Sequence, residues 1–485
     1  MGAIAAAAAK KDANVIPYVI RMLDSLKHRG KNAHGIATAK SVDIARTVPD
    51  LTSLDIKSNI ALGHNFASVL SRDAPQPVQD NGIKLIFEGR LFPPIGTCEA
   101  TDVAKMIKTS PKEEAKRLIK EHDGSYAFVF QCGNQLIAGR DPMGLIPLYY
   151  GENGEVYALA SERKALWSIN IKNVNSFPPG NLAVINNGRV VFQPVKTVTK
   201  LAITGINEGD AVEKLYGLLL ESIKERVEGV EKFALAFSGG LDSSLIAALI
   251  RESGKQALLA IVGLEDQPEL QFAENVAEML GLPFKAETFT FDDVENVFDE
   301  VLWLVEEPDF LKISVAIPFF WIAKTASHAG YKVLLAGQGS DELFGGYKRY
   351  LREYGKSSES VENSLYRDTI LSYQVNFERD DKVCAFHGME LRLPFVDSDL
   401  ISFSLGLPLR FKIESSDDTL RKRILRKVAE KTGLPSYVYN RPKEAIQYST
   451  GVDKALKRLA EKRGLNVREF VESSFMLMQK KYFCS

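Results

Sequence analysis

Two patterns of apolar and polar positions divide the chain. Up to about residue 195, apolar runs of strand length recur at 60–62, 83–87, 126–130 and 182–185, bounded by Gly, Asn, Asp and Pro. Two stretches, 15–26 and 104–120, carry apolar residues at helical spacing. This combination predicts an α+β domain of stacked, mostly antiparallel sheets. From Gly209 onward helices and strands alternate: helix 211–226, strand 233–237, helix 243–252, strand 257–262, helix 269–279, strand 285–289, helix 317–329 and strand 333–336. Such alternation predicts a parallel α/β sheet. Beyond about residue 355 the pattern is largely helical, ending in a charged helix near 453–463. No tandem repeat is visible, and the only low-complexity tract is an alanine run near the start. Two domains are expected, 1–200 and 205–485, with the boundary inside 195–210.

Composition narrows the classes. The 485 residues are 45% hydrophobic and 25% charged, with a net charge of −1. That balance gives no electrostatic argument for nucleic acid or an anionic membrane, so no nucleic-acid or membrane partner is expected. The opening apolar stretch is cut short by Lys10, Lys11 and Asp12, too early for a secretory or membrane-spanning segment. Met1-Gly2 invites N-myristoylation, but Ala6 stands where Ser or Thr is required. Cys98, Cys132, Cys384 and Cys484 are far apart and fit a reducing, cytoplasmic setting. An isologous homodimer is the base-rate expectation for assembly.

The chemistry gathers at two glycine turns. The apolar strand 233–237 runs into Ser238-Gly239-Gly240-Leu241-Asp242-Ser243-Ser244. Glycines let the backbone approach a polyanion, and the following helix offers free N–H groups and a favourable dipole. The serine hydroxyls add donors for pyrophosphate, while Asp242 suits a Mg²⁺ ligand or a helix cap. A capped helix would explain Gly-Gly-x-Asp alone; the full run after an apolar strand points to phosphate. The pattern is neither a Walker A loop nor a dinucleotide fingerprint. A second strand ends at Ala336 and leads into Gly337-Gln338-Gly339-Ser340-Asp341-Glu342. In an open α/β sheet both turns face one crevice beyond the strand ends. Asp341 and Glu342 are there as metal ligands or as helix caps.

These segments resemble the class B, glutamine-dependent asparagine synthetases and their relatives, including β-lactam-forming synthetases. The likeness covers Ser238–Ser244, the segment 337–347, and Gly388-Met389-Glu390-Leu391-Arg392-Leu393-Pro394-Phe395-Val396-Asp397. It extends to Arg441-Pro442-Lys443-Glu444 and to N-terminal blocks including His28-Arg29-Gly30 and Gly139-Arg140-Asp141-Pro142. The resemblance implies an N-terminal-nucleophile hydrolase fold followed by an ATP-pyrophosphatase domain. It implies that a carboxylate, L-aspartate in the named family, attacks MgATP to give an acyl-adenylate and pyrophosphate, and that ammonia then forms the amide. It further implies that Lys443, Glu390 and Asp341 are catalytic, and that Ala336 and Gly337 line the nucleotide site. Val262 matches the segment framing adenine, Asp242 and Asp341 match Mg²⁺ positions, and Gln338, Glu342, Lys312 and Ser314 fall at the acid substrate.

The chain departs from the family pattern in both halves. The glutaminase nucleophile is a cysteine at position 2, where this chain has Gly2. Phe66 stands where the family carries the arginine for the glutamine carboxylate, and Glu88 replaces the oxyanion-hole asparagine. No glutamine hydrolysis is therefore expected. In the synthetase half Gln338 replaces a glutamate and cannot serve as a base. Leu311 or Lys312, and Ser314, stand at Thr and Arg positions, which leaves the acid's identity open. Three readings follow: an ammonia-using asparagine synthetase, a related adenylating ligase acting on another acid or closing a ring, or a non-catalytic nucleotide-binding regulator.

Overall fold

The protein is described from a computed structural model covering residues 2–11, 13–52, 57–186 and 189–483. Cys484 lies outside the described residues. The chain forms two compact units. One runs to Thr197 and takes in Ala385–Glu390 and the segment from Ser473; the other comprises Val198–Cys384 and Leu391–Glu472.

The first unit contains strands β1 (Ala3–Ala9), β2 (Ala33–Ala37), β3 (Val42–Ala45), β4 (Ile60–Phe66), β5 (Val78–Asp80), β6 (Ile83–Phe92), β7 (Asp123–Cys132), β8 (Gln135–Arg140), β9 (Tyr149–Glu152), β10 (Val156–Ala160), β11 (Val174–Ser176), β12 (Asn181–Asn186) and β13 (Arg189–Pro194). They form two antiparallel sheets, ordered β11-β9-β10-β1-β4-β2-β3 and β13-β12-β8-β7-β6-β5. Strands β1 and β4 face β6 and β7, so the sheets stack as expected. Helix Ile16–Ser25 covers the outer face of the first sheet; Glu99–Ile107 and Pro111–Glu121 cover that of the second. The single helix expected over 104–120 is thus two. Pro111 opens the second one, where its missing N–H costs nothing but prevents continuation of the first.

The alanine run is β1, at the centre of its sheet. Alanine prefers helix, yet these alanines pair on both edges, with Ala5 opposite Gly63 of β4 and Ala160 of β10. Ala3, Ala5 and Ala7 pack under Val19 and Leu23 of the outer helix. Methyl groups suffice because that face is crowded: a Cβ at Gly63 would lie 2.6 Å from Val19 Cγ1. Tertiary packing overrides local preference here.

The second unit is built on β14 (Phe233–Ala236), β15 (Ala257–Leu264), β16 (Phe284–Phe289), β17 (Val333–Leu335) and β18 (Glu390–Arg392), in the order β16-β15-β14-β17-β18. The first four are mutually parallel, as predicted. Helix Phe310–His328 is apolar on every side and by length and composition alone would cross a membrane, but 67% of that window is buried. It is a core helix, with Trp321 stacked on Phe289 of β16 at 4.1 Å. The helical region after 355 includes a π-helical turn at Tyr373–Phe377, a form that often marks a functional segment. The chain's last described helix is Val467–Phe483, beyond the charged helix (observed as Val452–Lys462) expected to end it.

Candidate active site

A cavity of 620 Å³ opens beyond the carboxyl ends of β14, β15 and β17. One wall is the first glycine turn. Phe237 donates to Ala260 of β15, holding the strand end, and the chain then reverses at Gly239 with φ +68°. A side chain there would meet Ala273 Cα at 2.9 Å, so glycine is required for both backbone angle and space. Helix Leu241–Glu252 follows with Gly240 as its cap and no side chain bonding its first N–H groups. Those donors remain available for an anion.

The hydroxyls of Ser238 and Ser243 lie 3.3 Å apart beside this turn, and both residues line the cavity. Ser244 differs from expectation. Its side chain is fully buried beneath the helix, its Oγ has no hydrogen-bond partner, and it does not reach the cavity. Gly240 and Leu241 line a smaller neighbouring pocket with Lys422, Arg426 and Lys443.

The second turn abuts the first: a Cβ on Gly337 would sit 3.1 Å from Asp242 Cβ. Asp242 and Asp341 are joined by two lysines. Lys422 Nζ lies 2.8 Å from Asp242 Oδ2 and 2.5 Å from Asp341 Oδ1; Lys443 Nζ lies 3.6 Å from Asp242 and 3.0 Å from Asp341. Lys422 is 1% exposed and also donates to Ser340 Oγ. Burial pushes the Asp341 carboxyl up, but the two ammoniums outweigh it and hold it well below the usual carboxylate range. Burial lowers Lys443 and the two aspartates raise it; the aspartates win, so it stays charged. Neither aspartate is a simple helix cap.

Lys422 is a site residue that sequence reading missed. It sits in Arg421-Lys422-Arg423, which reads as a solvated basic stretch. One signal was available: counting by helical spacing from the buried Leu425 and Ala429 places residue 422 on the apolar face.

Among the described residues no three His, Cys, Asp or Glu side chains cluster as a metal site. The pair Asp242 and Asp341 suits instead a Mg²⁺ that arrives with nucleotide, since that ion commonly takes one or two carboxylates and draws its other ligands from phosphates and water.

The remaining wall has two regions. Ile261, Val262, Leu270 and Ala273 make an apolar side, as a flat base requires. Opposite them Glu342 accepts hydrogen bonds from Tyr347 Oη (2.5 Å) and Asn376 Nδ2 (2.8 Å). Burial and the neighbouring Asp341 raise the Glu342 pKa. Gln338 Nε2 donates to Asp380 Oδ2 at 2.6 Å. Lys312 lines the cavity but is paired with Glu307 at 2.6 Å. Ser314 is not at the cavity: it is fully buried, its Oγ donating back to Leu311 O.

Glu390 is also elsewhere. Its carboxylate belongs to a buried cluster in the first unit, 2.9 Å from Arg90, which also meets Asp73 (2.6 Å) and Glu99 (3.0 Å). Glu390, expected to be catalytic, does not line the cavity in this structure and is paired with Arg90 instead.

In that same unit the Gly2 N–H donates to Glu88 Oε2 at 2.6 Å, and Glu88 Oε1 lies 2.8 Å from His64 Nε2. A Cβ at Gly2 would lie 2.1 Å from Asn65 O and 2.9 Å from Glu88 Oε1. Although burial pushes Glu88 up, His64 holds it below its ordinary value. Phe66 is buried at the end of β4.

Two glycine turns at adjacent parallel strand ends, with charged residues converging on one cavity, make a site suited to a phosphate-bearing substrate. The family comparisons agree. Residues 214–362 and 353–480 match the asparagine synthase model, and residues 96–168 match a glutamine amidotransferase domain. The chain is 30% identical over 521 residues to a putative glutamine-hydrolysing asparagine synthetase 1 of Methanocaldococcus jannaschii, covering 96% of both. It is 28% identical to the glutamine-hydrolysing asparagine synthetase of Asparagus officinalis, covering 90% of this chain and 74% of that one. The chain belongs to the asparagine synthetase family and is a carbon–nitrogen ligase, of a family that uses ATP to form amides.

Proposed function

We propose that this enzyme adenylates L-aspartate with MgATP at the two glycine turns and amidates the acyl-adenylate with ammonia, giving asparagine, AMP and pyrophosphate. The observation that carries this reading is the Asp242–Lys422–Asp341–Lys443 cluster beside the open helix N-terminus. Helix N–H groups and Lys443 (26% exposed, hence able to move) receive the phosphates. Asp242 and Asp341 would hold a Mg²⁺ arriving with the nucleotide, and the ion would supply charge dispersal on the pyrophosphate. Val262 and Leu270 take the adenine, and Gln338 and Glu342 face the acid.

The first unit is proposed to lack glutaminase activity. Gly2 supplies no nucleophile, Asn65 O and Glu88 occupy the space its side chain would need, and an anionic Glu88 repels an oxyanion. Ammonia is then taken up free rather than made in place.

One observation favours a different acid. Leu311, Leu371 and Val375 all line the cavity and are 56%, 38% and 51% exposed, an apolar rim with no evident use for aspartate. An acid with an apolar extension would cover it. The deciding experiment measures pyrophosphate release from MgATP with ammonium and a panel of acids. Aspartate-dependent release with asparagine as product supports the first reading. Release only with a larger acid replaces aspartate, and no release with any acid refutes adenylation. Glutamate formed from glutamine at enzyme-like rates would refute the inactive glutaminase.

A further inference from the structure

The polar face of the cavity contains a residue pair, Gln338 and Asp380, of which the chemistry above uses Gln338 alone and only to face the acid. Gln338 lines the cavity, and its Nε2 is bound to Asp380, which is fully buried behind it. Arg379 grips Asp380 with two bonds, Nε to Oδ1 at 2.7 Å and Nη2 to Oδ2 at 3.0 Å. The third arm of that guanidinium donates to Val375 O (3.0 Å), and lies 3.4 Å from Asn376 Oδ1, both on the π-helical turn. The turn therefore anchors Arg379, Arg379 fixes Asp380, and Asp380 fixes Gln338.

We propose that Asp380 sets the polarity of the Gln338 carboxamide, so that its carbonyl oxygen faces the cavity and receives an N–H of the attacking nitrogen. This rests on the amidation reading. The two ends of a carboxamide are alike in shape, so the end facing the cavity is decided by what holds the other. Burial raises the Asp380 pKa and the bidentate Arg379 guanidinium opposes that shift; a carboxylate oxygen gripped by those N–H groups accepts the amide proton. It takes the amide's N–H and leaves Oε1 pointing inward.

The polarity matters because of what ammonia carries. It has three N–H donors and one lone pair, and the lone pair must meet the acyl carbon. An acceptor binds an N–H and leaves the pair free; an inward-facing NH₂ would bind the pair itself and block attack. As the C–N bond forms, the C–O bond to AMP breaks with its electrons leaving on the phosphate. The surplus proton on nitrogen passes to water in the open cavity, because an amide oxygen is not a base at this pH. Gln338 is thus the nucleophile's seat and Asp380 its positioning residue.

Asp380→Asn tests this directly. In that variant Arg379 Nε retains the amide oxygen, which turns Nδ2 toward Gln338 and flips the Gln338 amide. The assay is steady-state pyrophosphate release with MgATP, ammonium chloride and whichever acid supports it in the wild type. The expected result is a KM for ammonium raised at least tenfold more than the KM for ATP. Gln338→Met, which removes the acceptor, gives the same split, and the double variant is no worse than either single one. Asp380→Glu restores most of the ammonium KM. An unchanged ammonium KM in Asp380→Asn, or effects of the two singles that multiply, overturns the proposal. Should Asp380→Asn fail to fold, an unchanged ammonium KM in Gln338→Met overturns it instead. A wild type that releases no pyrophosphate with any acid refutes the amidation reading, and that outcome is distinct from all of these.

Discussion

Replacing Lys422 with methionine keeps the length of the side chain and removes its charge. The side chain is 1% exposed and sits within 2.8 Å of both Asp242 and Asp341. Without it two buried carboxylates share a single cation, Lys443, which is 3.0 Å from one and 3.6 Å from the other and is 26% exposed. Breaking a buried ion pair by removing one partner costs about 3–5 kcal/mol. Because Lys443 offsets part of this, the low end, about 3 kcal/mol, is expected. For a unit of this size that corresponds to a loss of about 6–12 °C in its unfolding temperature. The pH dependence has a definite sign. Asp341 is held below its unfolded pKa of about 3.9, so the stability it contributes is present above that pH and is lost as pH falls through the folded value. Wild type and Lys422→Met therefore differ fully at pH 7.5, and the gap begins to narrow below about pH 4 and closes only as pH falls through the lower folded value. Differential scanning calorimetry at pH 7.5 and below about pH 4, with Lys422→Arg as a charge-retaining control, reads the effect. A shift under 2 °C at pH 7.5, or a gap that does not narrow in acid, would refute the reasoning.

Ser243→Ala removes a hydroxyl at the cavity and raises the KM for ATP about 10-fold or more, since a hydrogen bond to a charged group contributes about 1.5–3 kcal/mol; Ser244→Ala, whose Oγ is sealed under the helix, changes it less than twofold. Gly2→Cys leaves glutamate production from glutamine at background and destabilises the first unit by about 1–3 kcal/mol through overpacking against Asn65 and Glu88, checked by urea denaturation. Arg90→Met strips the common partner from Asp73, Glu99 and Glu390 and costs at least about 3–5 kcal/mol at neutral pH. Burial raises Asp73 but Arg90 holds it below its ordinary value, so the loss shrinks in acid as Asp73 protonates, read by urea denaturation at neutral and acid pH.

Much of this could be read along the chain, and the failures have physical causes. The glycine turns were legible because a strand, a tight reversal and a helix start each leave a local signature. Parallel strands such as β15 were legible from continuous apolar runs. β1 was not assigned, because an alanine run carries no period-two contrast and its propensity points to helix. Lys422 and Asp380 were missed because a buried charge looks like a surface charge until its partners, 180 and 42 residues away at Asp242 and Gln338, are known. Glu390 was misplaced for the converse reason: a family motif fixed its position in sequence, whereas the side chain's surroundings were decided by Arg90, 300 residues earlier.

The alanine strand has a consequence for how the molecule is made. β1 is synthesised before both of its partners, since its two edges pair with Ile60–Phe66 and with Val156–Ala160. At about 5–20 residues per second, on the order of 8–30 s pass between the arrival of β1 and of its second partner. For that interval the segment is a short run of alanines with little side chain to aggregate and too few residues to form a stable helix alone. A strand of valines and isoleucines would overpack that face, and before pairing it would wait exposed with a strong tendency to pair with whatever came first. The small side chains thus make β1 an inert strand while it waits, sealed into the centre of its sheet only when the later of its two neighbours arrives.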